Sequence, residues 1–236
     1  MKQKLSGKRV KRFSKTAIFI HWLNALAFLG LYLTGLPLYT EYFHWLYVIL
    51  GGPEMAMILH RVFAVVFMLP FFIAIVFDRA SMFHWFKQMF TWRKRDFQFF
   101  LPFAKEFFGL HSKVPKQDFY NAGEKVNSLL QLAMAVTLVF SGLILWFDGF
   151  FSTAVIQWAF VFHNIGFSLA AAVIIGHVYL SVGHPNSKVS MEGITKGDVP
   201  IEYAEDHHGI WYDELLEEEE KKIKEMKRKM DDQKGA

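Results

Sequence analysis

The 236 residues contain no cysteine at all. That excludes a disulfide framework, thiolate-held iron–sulfur clusters and the thioether attachment of a c-type haem. Any iron–sulfur centre that serves this chain must sit on a partner. Charge is scarce as well: Asp, Glu, Lys and Arg make up 20% of residues against 53% hydrophobic and 17% aromatic ones. A mean hydropathy of +0.21 is high for a domain that folds in water. The segment from Leu38 to Glu54 has no Lys or Arg, and acidic residues are almost missing from the long apolar runs. That second absence removes the carboxylates with which buried histidines would alternate in a proton relay.

What is present are four apolar runs, approximately Ala17 to Tyr39, Met55 to Phe77, Val126 to Phe147 and Ala154 to Val182. Each has the ~20 residues needed to cross a hydrocarbon core of about 30 Å. The first lacks the short apolar core and small-residue cleavage site of a signal peptide, so it reads as a retained helix. The expected fold is an all-α membrane protein, a bundle of four transmembrane helices. Lys2, Lys4, Lys8, Arg9, Lys11, Arg12 and Lys15 precede the first run. Arg79, Lys87, Arg93, Lys94, Arg95, Lys105, Lys113, Lys116 and Lys125 follow the second. The positive-inside rule then places both termini in the cytoplasm, with Lys188 and Lys196 just beyond the fourth run. The formal charge of +4 is thus explained by topology, and membrane lipid rather than nucleic acid is the expected surface partner.

Three segments follow from this pattern: a basic cytoplasmic N-terminus over 1–16, a transmembrane domain over 17–183 and a charged cytoplasmic tail over 184–236. The domain includes a cytoplasmic interfacial loop over 78–125, where Phe83, Trp85, Phe86, Phe90, Trp92, Phe97, Phe99 and Phe100 alternate with basic residues. From Glu214 to Lys234 acidic and basic residues alternate with few apolar ones, which reads as a solvated helix or disorder.

The apolar runs carry four histidines, His21, His60, His163 and His177. A lone membrane histidine is more often a hydrogen-bonding link between helices than a ligand. Four that match in depth reverse that reading. His21 and His177 fall near the cytoplasmic face, His60 and His163 near the opposite one. The 14 residues from His163 to His177 correspond to about 21 Å of rise and about 1400° of rotation, so both rings leave nearly the same helix face at two levels. Two neutral imidazoles per iron satisfy a b-type haem, and the expectation is two such haems on the pairs His21–His177 and His60–His163. Gly35, Gly142, Gly166 and Gly176 offer the low bulk that a porphyrin plane needs. Arg61 either neutralises a haem propionate or snorkels to the interface.

The chain resembles the gamma subunit of membrane-bound formate dehydrogenases, within the wider prokaryotic cytochrome b561-type group. The likeness is carried by IHW at Ile20 to Trp22, GGPEMAMILHR ending at Arg61, YNAGEK at Tyr120 to Lys125, the paired histidines of the fourth run and HHGIWY at His207 to Tyr212. The resemblance implies a complex in the cytoplasmic (inner) membrane of a prokaryote, with possible higher oligomers. There a molybdenum or tungsten catalytic (alpha) subunit oxidises formate, an iron–sulfur (beta) subunit passes electrons to the outer haem, and this chain reduces menaquinone or a similar quinone. It further implies that Asn121 and Gly123 form the quinone site beside the inner-haem ligand His177. Glu124 stands where some relatives carry glutamine, and the His60–Arg61 pair departs from some of them too. A cytochrome serving a hydrogenase or a thiosulfate or polysulfide reductase, and a haem-free histidine-containing transporter, are the alternatives.

Overall fold

The computed structural model describes residues 9–107, 110, 113–184 and 188–234. Lys2, Lys4 and Lys8 of the basic N-terminus lie outside them. The chain divides into two units, one of Phe13–Phe86 with Asn127–Gly197, the other of Met1–Arg12, Lys87–Val126 and Asp198–Ala236.

The first unit holds the apolar helices. Among the described residues, four helices are long and apolar enough to cross a membrane: α1 (Lys15–Tyr39), α3 (Pro53–Phe77), α6 (Ala122–Trp146) and α7 (Thr153–Val178), the last extended by a π turn over Tyr179–Gly183. Their side chains are mostly exposed in the isolated chain, Phe72 at 59% and Phe140 at 64%, as expected where lipid is the solvent. Ser14 caps α1, its hydroxyl accepting the Ala17 N–H at 2.9 Å. Between α1 and α3 lies the short α2 (Leu46–Leu50), fixed by Tyr47, whose hydroxyl donates to the Pro37 carbonyl at 2.9 Å. Gly51 and Gly52 then turn the chain with φ of 83° and 100°, a backbone region that glycine occupies without strain. Small residues let the helices approach: a Cβ on Gly30 of α1 would sit 2.5 Å from the Phe63 ring of α3, and one on Gly166 of α7 would sit 3.3 Å from Leu138 of α6. Tyr32 of α1 stacks on Phe167 of α7 at 4.4 Å. α8 (Ser190–Lys196) closes the unit, its Ile194 carbonyl accepting the Trp22 indole N–H at 3.0 Å.

The second unit is polar. β1 (Arg9–Lys11) pairs antiparallel with β2 (Asp198–Pro200), with Arg9 and Asp198 joined at 2.6 Å. The expected interfacial loop is helical in large part: α4 (Arg79–Phe90) spans the boundary at Phe86, and α5 (Lys94–Phe107) lies within this unit. α5 has two faces, with Asp96 and Phe99 buried and Phe97 and Leu101 exposed. Asp96 and Asp118 receive the fully buried ammonium of Lys125 at 3.0 and 3.4 Å, and the Thr91 carbonyl takes a third bond at 3.1 Å. α9 (Ile201–His207) and α10 (Gly209–Lys234) complete the unit. The charged tail, expected as helix or disorder, is helix. Its Glu217–Lys221, Glu218–Lys222 and Glu220–Lys224 spacings favour one.

Candidate functional site

Each expected histidine pair meets across helices within the apolar unit. His60 of α3 and His163 of α7 have ring centres 6.4 Å apart, and His21 of α1 and His177 of α7 have theirs 6.3 Å apart. A metal–imidazole bond of about 2 Å on each side, plus roughly 1 Å from nitrogen to ring centre, brings two trans imidazoles to about 6 Å. The pairs therefore already stand at the spacing of two ligands on one metal. Such a group fits the residues present.

Ring orientation points the same way. Thr34 of α1 donates its single hydroxyl proton to the Gly30 carbonyl at 2.7 Å, so its oxygen is left to accept from His60 Nδ1 at 3.0 Å. Ser141 of α6 repeats this, donating to the Thr137 carbonyl at 2.6 Å and accepting from His163 Nδ1 at 2.9 Å. The carbonyls of Leu31 and Leu138 also face those two rings. Both Nδ1 atoms thus carry the proton, and Nε2 of each ring keeps the lone pair that a metal requires. At the other pair, the Asn127 amide meets His177 Nδ1 at 3.3 Å, while His21 Nδ1 is buried with no hydrogen-bond partner.

The residues after the two hydroxyls are glycines. A Cβ on Gly35 would lie 3.3 Å from His60 Cε1, and one on Gly142 would lie 3.2 Å from His163 Cε1. Each hydroxyl–glycine doublet thus seats one imidazole, the hydroxyl holding Nδ1 and the glycine admitting the ring edge. Gly176 has open space around it and Gly166 packs on Leu138 and Thr137. Arg61 lies 5.2 Å over the Trp146 ring, a cation–π contact. Thr34, Ser141 and Asn127 were not expected from sequence, because hydroxyls in apolar helices ordinarily bond only their own backbone. The signal was the repeated hydroxyl–glycine doublet.

Asn121 and Gly123 belong to the polar unit, at the start of α6. The Asn121 side-chain oxygen accepts the Glu124 N–H at 2.9 Å, and the Glu124 carboxylate accepts the Asn121 N–H at 2.9 Å, a reciprocal capping box. It explains why α6 begins at Ala122 rather than at the expected Val126. The Asn121 amide nitrogen is left to donate elsewhere. Gly123 leaves room for that cap, since a Cβ there would lie 3.2 Å from Asn121 Oδ1 and 3.5 Å from the Phe99 ring. Glu124 also binds buried Arg12 at 3.0 Å; burial pulls the Arg12 pKa down, but the Glu124 carboxylate, its hydrogen bond and the nearby Tyr203 and Tyr120 together hold it above the ordinary value. His208 of the HHGIWY motif is fully buried, its Nδ1 bonded to the Asp118 carbonyl at 2.8 Å; burial first, and the Arg12 charge second, push it down to about 3.

The long apolar helices are those of a multi-pass integral-membrane protein. The chain belongs to the prokaryotic cytochrome b561 family, whose model matches residues 12–197. It is 28% identical over 208 residues to the cytochrome b556(Fdn) subunit of the nitrate-inducible formate dehydrogenase of Escherichia coli (strain K12), covering 87% of this chain and 91% of that one. It is 28% identical over 216 residues to the formate dehydrogenase cytochrome b556(fdo) subunit of the same strain, covering 90% and 96%. To the formate dehydrogenase cytochrome b556 subunit of Haemophilus influenzae it is 29% identical over 210 residues, covering 87% and 83%.

Proposed function

We propose that this chain is the membrane-anchoring dihaem cytochrome b subunit of a formate dehydrogenase, carrying electrons from an iron–sulfur partner to a quinone at the cytoplasmic side. The observation that carries this reading is the two imidazole pairs, one ring of each pair contributed by α7 about 21 Å apart along its axis. His60 and His163 hold the outer haem, His21 and His177 the inner one. Bound haem supplies one-electron transfer between two levels of the bilayer. The chain's own part is to present Nε2 lone pairs, exclude water with apolar helices and keep the two groups apart. The Asn121 amide donates to a quinone carbonyl and Gly123 admits the ring, so that the quinone takes two electrons and two cytoplasmic protons. Formate oxidation belongs to a molybdenum or tungsten subunit, and the similarity to subunits of formate dehydrogenases along most of the chain supports that partner over a hydrogenase or a thiosulfate or polysulfide reductase.

Haem quantification on purified single variants tests this. Wild type carries two low-spin haems per chain; His60→Ala and His163→Ala each retain one, the same one, and His21→Ala and His177→Ala retain the other. A wild-type protein without haem, or equal loss of both from every inserted variant, overturns it. Co-purification of the native complex identifies the donor.

A further inference from the structure

The two imidazole pairs are not equivalent in their hydrogen bonds. At His60 and His163 both Nδ1–H groups donate to a hydroxyl oxygen, at 3.0 and 2.9 Å. Both hydroxyls are buried, Thr34 at 1% and Ser141 at 5% exposure. Each is locked as an acceptor, because its own proton is spent on a backbone carbonyl one turn back. At the other pair the Nδ1 of His21 is buried with no hydrogen-bond partner among the described residues.

An imidazole whose Nδ1–H is drawn toward an oxygen gains electron density on Nε2 and becomes a stronger donor to its metal. Stronger donation favours the oxidised metal and lowers the reduction potential, and burial away from water amplifies the effect. Such a bond on both ligands of one haem, against a ligand without one at His21 on the other, separates the two potentials in a fixed order.

We infer that Thr34 and Ser141 are potential-setting residues, which make the haem on His60 and His163 the lower-potential one and so direct electrons toward the haem on His21 and His177. This inference rests on the dihaem reading above. In the transfer itself one electron leaves the first site and arrives at the second, and no proton leaves Nδ1. Thr34 and Ser141 touch the ligands and not the metal, so they act by position.

The test is a spectroelectrochemical titration of the purified full chain in detergent, with the His163→Ala variant identifying which component belongs to which pair. Thr34→Val and Ser141→Ala keep side-chain volume close to native while removing the acceptor. Each is expected to shift the lower component upward, the double variant further than either single, with the higher component unmoved and both haems present. The low-spin electron paramagnetic resonance signal of the same component should change with it. Thr34→Ser and Ser141→Thr, which restore the hydroxyl, should return the potential to its native value; a purely packing role would not distinguish these from Val and Ala. A lower component unmoved in the double variant, a shift confined to the other haem, or a native order with the His60–His163 haem higher overturns the inference while leaving the dihaem reading intact. Absence of two haems in the native chain removes that reading itself.

Discussion

Gly142 faces the ring of His163 so closely that the smallest added side chain has a measurable consequence. A Cβ there would stand 3.2 Å from His163 Cε1 and 3.7 Å from Nδ1, so the ring must retreat by a few tenths of an ångström. Ser141 resists that retreat through its 2.9 Å bond to the same ring. Metal–ligand distances tolerate only about 0.2 Å of error, and disturbing a partner that orients a ligand lowers metal affinity by about 10-fold to 100-fold. Gly142→Ala should therefore keep both haems on purification but release the His60–His163 haem about 10-fold more readily to an acceptor such as apomyoglobin. Gly142→Val, with two further methyls against the ring, should be isolated with close to one haem per chain. Gly30→Ala serves as the control, because the three atoms nearest its Cβ all belong to the Phe63 ring, the first at 2.5 Å. Such overpacking costs about 1–3 kcal/mol of stability, and it should lower the melting temperature without selecting one haem. Gly142→Val retaining two haems with native release kinetics would refute the seat described for His163.

Lys125→Met leaves the fully buried Asp96 carboxylate without its cation and should destabilise the protein by about 3–5 kcal/mol, read as a thermal shift in detergent, with Lys125→Met/Asp96→Asn recovering much of the loss. His208, held near 3 in the folded chain against an ordinary value of about 6.5, takes up a proton more readily once unfolded. Its contribution is complete above that ordinary value and is lost as pH falls toward 3, by up to about 1.4 kcal/mol per pH unit; hydrogen-exchange protection factors across residues 198–212, after correction for the slower intrinsic exchange in acid, should fall on acidification from pH 7 to 5, and His208→Asn should flatten the trend. Asn121→Ala removes both the cap and the donor proposed for the quinone, and should slow haem reoxidation by a menaquinone analogue about 5-fold to 150-fold in stopped flow, with both haem spectra unchanged. Gly123→Val, which displaces the Asn121 oxygen 3.2 Å away, should be at least as slow; native rates in both variants would move the quinone site elsewhere.

The four spans were legible because lipid demands long uninterrupted apolar runs, a signal no turn or cap can hide. The helix start at Ala122 was written in the sequence as Asn121 followed three residues later by Glu124, a pattern that the adjoining apolar run obscured. The depth-matched histidines predicted the pairs that meet, because rise per residue along a straight helix is nearly invariant. What holds those rings was harder to read. Thr34 and Ser141 become informative only when α3 and α7 are known to present a ring to each. The pairing of Arg9 with Asp198 and the burial of His208 on Asp118 join residues remote in sequence, and three-residue strands leave no period to find.

The two hydroxyl–glycine doublets bear on how the protein is made. An unligated imidazole in hydrocarbon is an expensive passenger during insertion, since each unmet polar atom adds to the cost of leaving the translocon. Here the Nδ1 protons of His60 and His163 are taken up by acceptors on the neighbouring helix as soon as α1 meets α3 and α6 meets α7. Helical hairpins can therefore pack before any prosthetic group arrives, and the haem proposed above would enter a socket whose walls are already set. His21 has no such acceptor, so biogenesis of the two sites is expected to be ordered, with the socket at His60 and His163 formed by the protein alone and the one at His21 completed by its cargo.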